Sequence, residues 1–232
     1  MAAHMKRWIS LGTAVTAAVF VMSGCSEAEA KRSTKSPATP TPSRASRPPL
    51  TTDQLKALAL KDSDVPQAHS VPVRSPEPEA DESPASDTSC QEMLDVLGAE
   101  TASTQVFQIF NWKENIMGGN SVLASYEGDK AREAFRRLRN SLRTCENFAL
   151  VGPDREFKVT TGTAPSVGDE AIGFHVLAKL PDGGGLRDEH HAFVRTGNVT
   201  ASFMELNVGQ KAKFPEDIIR KQVDRLVRAR GR

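Results

Sequence analysis

Apolar side chains recur along this chain in two periods, and the switch between them divides it into helices and strands. Residues 50–60 read as a short helix, with Thr52 as N-cap and Leu55, Leu58 and Ala59 along one face. Asp62-Ser63-Asp64-Val65-Pro66 ends it, because the residue before a proline is pushed out of the helical region. A second helix over 89–99 aligns Cys90, Met93, Leu94 and Leu97, with Gly98 near its end. Strands are predicted over 104–112 and 121–126, joined by a loop holding Met117-Gly118-Gly119-Asn120. A third helix over 129–147, with Asp129 as N-cap, carries Phe135, Leu138, Leu142 and Cys145 on one stripe. Strands over 148–151 and 156–161 flank Gly152-Pro153-Asp154, and Ile172, Phe174, Val176, Ala178 and Leu180 alternate as one buried strand face. After the break at Pro181-Asp182-Gly183-Gly184-Gly185, residues 190–195 and 199–206 form a hairpin around Thr196-Gly197-Asn198. Lys213-Phe214-Pro215-Glu216 opens a last helix whose core stripe is Ile219, Val223 and Leu226. Antiparallel strands with helices before, between and after them predict an α+β domain over 50–232, with the helices packed on one face of the sheet.

The first 49 residues follow a different pattern. Lys6 and Arg7 precede an apolar run from Trp8 to Met22 that ends at Met22-Ser23-Gly24-Cys25. That run is roughly 15 residues, short of the roughly 20 a spanning helix needs, so it reads as an export signal over 1–24. Ser23-Gly24-Cys25 resembles the lipobox of bacterial lipoproteins, although Met22 stands where that family has a branched aliphatic residue. The resemblance implies that Cys25 receives a diacylglyceryl thioether and becomes the mature N-terminus, held at the extracytoplasmic face of the cell membrane by its acyl chains. A secreted protein with an incidental Cys25 is the alternative. Residues 25–49 are Ser, Thr, Pro, Ala and basic residues with no large apolar side chain, which predicts a disordered tether. A second Pro-rich stretch over 71–88, carrying Glu77, Glu79, Asp81, Glu82 and Asp87, reads as an acidic loop.

Export changes the meaning of the cysteines. The chain has three, and with Cys25 assigned to the anchor, Cys90 and Cys145 remain as one even pair. In an oxidising compartment they are expected to form a disulfide, and both continue apolar helix faces that must be buried together. Cys-x-x-Cys spacing is absent, so the bridge is expected to brace the fold and not to do redox chemistry.

Asp188-Glu189-His190-His191 is the one cluster that invites a metal reading, with His175 as a third ligand if its strand pairs nearby. Adjacent residues on a strand point to opposite faces, so His190 and His191 cannot both reach one ion from regular geometry. The simpler reading is a polar strand start beside a glycine loop, and no metal or cofactor is assigned. Arg132, Arg136, Arg139 and Arg143 on the third helix, and Arg220, Lys221, Arg225 and Arg228 on the last, read as solvated helix faces or as surfaces for anionic lipid or wall polymer. Net charge is +1 and there is a single tyrosine, which with export argues against a nucleic-acid partner. No Gly-x-Ser-x-Gly elbow, Ser-x-x-Lys, His-Glu-x-x-His or phosphate loop is present, and no catalytic residue is assigned.

Four features resemble actinobacterial surface lipoproteins related to the extracytoplasmic sensor domain of serine/threonine kinases. They are the helix ending in Asp64-Val65-Pro66, the helical Cys90 and Cys145, Gly168-Asp169-Glu170 leading into a strand, and the hairpin Val194-Arg195-Thr196-Gly197-Asn198. The resemblance implies a domain that binds an extracellular ligand or an envelope protein without catalysing a reaction, and it carries over no ligand-binding residue. Two other classes remain open: a carrier of lipid or another apolar molecule in a cavity between sheet and helices, and a metal-dependent enzyme or hydrolase. A large apolar cavity would favour the carrier, and a polar cleft uniting His175 with His190 would favour metal binding or catalysis.

Overall fold

The computed structural model describes residues 47–74, 84–150 and 155–230. The signal, Cys25 and most of the tether lie outside them, as do 75–83 of the acidic stretch and the turn at 152–154.

In chain order the elements are α1 (Thr52–Leu58), β1 (Ala68–Ser70), β2 (Val73–Arg74), α2 (Thr88–Leu97), β3 (Thr104–Trp112), β4 (Gly119–Ser125) and α3 (Lys130–Ser141). They continue with β5 (Asn147–Ala149), β6 (Glu156–Thr161), β7 (Glu170–Lys179), β8 (Leu186–Thr196), β9 (Val199–Val208) and α4 (Glu216–Arg230). The strands pair antiparallel throughout, in the order β1-β3-β4-β9-β8-β7-β6-β5, with β2 also on β3. The α+β class, the antiparallel sheet and the bridge between Cys90 and Cys145 are as the sequence predicts.

The helices, however, do not share one face. α1 and α4 cover one side of the sheet, where Leu55, Phe214, Ile218, Ile219, Val223 and Leu226 pack on Val106, Phe110, Leu123, Ala192, Val194, Ala201 and Phe203. α2 and α3 cover the other, where Cys90, Met93, Ala134, Phe135 and Leu138 pack on Ala124, Phe174, Val176 and Phe193. Neighbours in one strand, such as Phe193 and Val194, therefore belong to opposite cores. The sequence hides this, because Ile172, Phe174, Val176 and Ala178 alternate with Gly173, His175 and Leu177, whose polar or small members suggest an exposed side. Gly173 and His175 are buried nonetheless. A Cβ on Gly173 would lie 2.2 Å from the Thr163 carbonyl oxygen, so the 162–164 segment crosses it at backbone contact.

Local chemistry sets the element ends. Thr51, not Thr52, caps α1: its hydroxyl accepts from Gln54 N–H, and the Gln54 side chain accepts from Thr51 N–H at 2.8 Å. Asp87 caps α2, accepting from the N–H groups of Ser89 and Cys90 at 2.9 Å. Asp129 holds the N-cap position of α3 without a side-chain cap bond. That helix stops at Ser141, earlier than its apolar stripe suggests, because the chain must turn back so that Asn147 can pair with Lys158. Cys145 consequently sits in the turn after α3, with its Cα 4.9 Å from that of Cys90 in α2.

The disulfide closes a segment of 55 residues that contains α2, β3, β4 and α3. Closing a loop of that length in the unfolded chain is worth about 4 kcal/mol. Replacing both cysteines by serine is expected to lower the unfolding free energy by about that amount, read from urea denaturation. A loss below about 1 kcal/mol would show that the bridge is not a brace.

Candidate functional site

β8 is longer than the sequence predicts, and this relocates the histidine cluster. It starts at Leu186, so Asp188-Glu189-His190-His191 lies inside a central strand and not at its start. Strand alternation then splits the four residues between the two cores. Asp188 and His190 face the α1/α4 side, and Glu189 and His191 face the α2/α3 side.

On the α1/α4 side the antiparallel registers align one line of residues across five strands: Thr160, His175, His190, Glu205 and Gly119. His175 and His190 are thus direct cross-strand partners, with ring centroids 5.0 Å apart. The structure unites the pair that the sequence could not place together. Asp188 orients the first ring, with its Oδ1 2.6 Å from His175 Nδ1, while its Oδ2 accepts from Ala212 N–H at 3.2 Å. The second ring is oriented from the loop before α4, since Phe214 N–H donates to His190 Nδ1 at 3.1 Å. A backbone N–H can only donate, so His190 carries its proton on Nε2. Both Nδ1 atoms are engaged, which leaves in the neutral rings Nε2 of His175 to accept and Nε2 of His190 to donate. Two cavities of about 400 Å³ each meet at His175 and Lys211, and His190 lines one of them. One is lined by Thr160, Thr161, Leu177 and Asp188, the other by Thr163, Lys213, Phe214 and Glu216, and His175 and Lys211 belong to both.

Burial, together with repulsion from His175 and His191, pulls the His190 imidazole down to about 4 despite the opposing pull of Asp188. His190 is therefore neutral in any near-neutral medium. Burial pushes the neighbouring Glu205 carboxyl up, with Asn115 Nδ2 donating to its Oε1 at 2.9 Å as the opposing influence.

The arrangement presents oriented hydrogen-bonding groups to the cleft, with His175 held by Asp188 and His190 by Phe214 N–H. Among the described residues no three His, Cys, Asp or Glu side chains are arranged to hold a metal ion, and His190, whose Nδ1 accepts from Phe214 N–H, keeps its proton on Nε2. Lys211, Thr160 and Thr161 were not singled out from the sequence. They join the cleft through strand register and a loop fold, neither of which leaves a local pattern.

The other sequence features have structural roles. Gly168-Asp169-Glu170 and the β8–β9 hairpin lock together: Arg195 Nε donates to Glu170 Oε2 at 2.6 Å, and Gly197 N–H donates to Asp169 Oδ2 at 2.7 Å. Gly168 has φ +71°, and a Cβ there would lie 2.5 Å from Val194. In the hairpin turn Gly197 alone takes positive φ, at 60°. Asp64 ties α1 to α4, with Arg225 2.6 Å from its carboxylate and Lys221 Nζ donating to its carbonyl at 2.6 Å. Burial raises the Asp64 carboxyl, but Lys61 N–H and Arg225 outweigh it and hold it below the usual range. Lys221 and Arg225 are therefore clamps and not part of a solvated stripe, while Arg132, Arg136, Arg139 and Arg143 are exposed. Among the described residues no helix is long and apolar enough to cross a membrane.

No known protein family matches the chain, and no curated protein matches it. Among solved structures it is similar to the extracellular domain of PknH from Mycobacterium tuberculosis, with a TM-score of 0.56 at 15% identity. The alignment covers 80% of this chain and 99% of that one. An uncharacterised protein of Mycobacterium smegmatis aligns with a TM-score of 0.35 at 10% identity over 75% of this chain and 93% of its own, too low to carry an argument. The first likeness establishes a shared fold.

The depressed His190 gives a pH signature. Between pH 6.5 and about 4 the unfolded chain takes up a proton that the folded chain refuses, so this residue removes stability as pH falls through that window. His190→Gln keeps an acceptor for Phe214 N–H without titrating. The variant is expected to lose less stability than the wild type between pH 7 and pH 4.5 in urea midpoints, and parallel losses would contradict the depressed imidazole.

Proposed function

We propose that this protein is a sensor-like binding domain that works outside the cytoplasmic membrane, anchored through a lipidated Cys25, and that it binds a polar ligand without converting it. The single observation that carries the reading is the cleft around His175 and His190. Its two rings are held in fixed tautomers by Asp188 and by Phe214 N–H, offer one acceptor and one donor, and lie beside Lys211. Fixing the two rings in this way prepares directed hydrogen bonds to a ligand before it arrives. The fold shared with an extracellular domain supports placement outside the cell, and so do the export signal and the internal disulfide. The composition of residues 25–49 suits a tether between the anchor and this body.

A second reading, a carrier of lipid or another apolar molecule, is favoured by a separate cavity of about 330 Å³ between α2 and the sheet.

Cys25→Ser is expected to move the protein from the membrane fraction to the medium, and retention in the membrane would refute the lipid anchor. The released protein should carry a small polar molecule in native mass spectrometry. His175→Ala combined with Lys211→Ala should lower its occupancy at least tenfold, and unchanged occupancy would exclude the cleft as the site.

A further inference from the structure

The α2/α3 side of the same strands holds a second polar break, and its chemistry differs from that of the histidine cleft. A cavity of about 330 Å³ lies under Leu94 and Leu97 of α2, with Phe148, Phe157 and Val176 as apolar walls. Arg187, Glu189 and His191, alternate residues of β8, form its floor, and Arg155 lies at its edge. Glu189 accepts from both floor neighbours: from a terminal nitrogen of Arg187, and from His191 Nε2 at 3.1 Å. Two polar atoms are left over. Arg187 Nε and His191 Nδ1 are buried atoms without a hydrogen-bond partner, in side chains that are 28% and 10% exposed. A buried N–H without an acceptor is costly, and a ligand oxygen drawn to the partly exposed Arg187 guanidinium would relieve it.

The plane of the His191 ring is fixed by stacking on Phe174, with centroids 4.9 Å apart and planes 7° from parallel. Phe148 and Phe157 stack in the same manner at 5.0 Å, which gives the apolar wall a fixed shape. Counting the floor and edge, Arg155 and Arg187 contribute two positive charges against the one negative charge of Glu189, so an anionic group is favoured electrostatically. A molecule that fits must therefore present an acidic oxygen to β8 and an apolar body to α2 and β5.

We infer that this cavity is a binding site for a single-chain apolar carboxylate, a fatty acid, whose carboxylate pairs with Arg187 and whose chain lies between α2 and β6. The inference rests on the carrier reading and is independent of the histidine cleft. A carboxylate is the smallest head that can occupy the floor, and the cavity volume is at the lower end of the range for small-molecule sites, which suits one chain better than two.

The test uses the full chain released by Cys25→Ser, titrated calorimetrically with dodecanoate, with dodecanol and with dodecyltrimethylammonium. Dodecanoate should bind saturably and at least tenfold more tightly than the other two. Arg187→Gln should weaken it at least tenfold, and Leu97→Trp, which fills the cavity from its helical wall, should abolish binding while circular dichroism stays unchanged. Lys211→Ala, in the histidine cleft, should leave dodecanoate binding intact. The inference is overturned by absence of saturable binding or by equal affinity for dodecanol. Loss of binding in Lys211→Ala but not in Leu97→Trp would overturn it as well, by placing the ligand in the other cleft. Because Lys211 reports only on the histidine cleft and Leu97 only on this cavity, failure of one site leaves the other reading standing.

Discussion

Burial of one antiparallel sheet on both of its faces is the constraint on which the rest of this molecule depends. With α1 and α4 on one side and α2 and α3 on the other, every residue of β8 from His190 to Thr196 is withdrawn from solvent. A strand in that position has no free side on which to discharge polar groups, so each one it carries must find a partner inside. Arg195 finds Asp169 and Glu170, Asp188 finds His175 and Ala212 N–H, and Glu189 finds Arg187 and His191. The polar groups of the central strands mark the two places where the helical layers leave room, and the three cavities open there.

Those two places are built from the same four-residue stretch yet differ in kind. Cross-strand register sets His190 between His175 and Glu205, a polar line that faces a loop donating backbone N–H groups. One residue along, His191 lies beside Phe174 and faces phenylalanine and leucine walls. A strand's period of two is enough to give one sequence two chemistries, hydrogen bonding on one side of the sheet and charge under an apolar roof on the other. Electrostatics follows the same division. His190 is driven neutral by burial and by its histidine neighbours, whereas His191 has a carboxylate as its partner.

Bracing keeps the two layers in register with the sheet. The disulfide holds α2 against the turn that follows α3, and Asp64 with Lys221 and Arg225 holds α1 against α4. Arg225 and Gln222 also donate to the Ala59 and Leu58 carbonyl groups at the end of α1, satisfying acceptors that a short helix leaves open. The hairpin lock between Arg195 and Asp169 fixes the loop that enters β7, and so the strand that presents His175. The short motifs that carry the resemblance to sensor domains are thus joints of the scaffold and do not line a cavity, which is why no ligand-binding residue could be taken from them.

Much of the architecture was legible along the chain because it is written in local periodicity. β3 and β6 run over the residues their alternation predicts, the core stripe of α4 is Ile219, Val223 and Leu226, and Cys90 pairs with Cys145 as their places on two apolar helix faces suggest. The end of α3 and the start of β8 were not legible, since pairing with a distant strand overrides the local pattern in both. By itself the sequence determined the α+β class, the cores of most helices and strands and which two cysteines join, all consequences of side-chain spacing and composition. Only the tertiary structure decided that the helices divide between two faces, that His175 meets His190 and that Arg187 lines a cavity beside α2. Those depend on strand register and layer packing, long-range properties that no window of sequence contains.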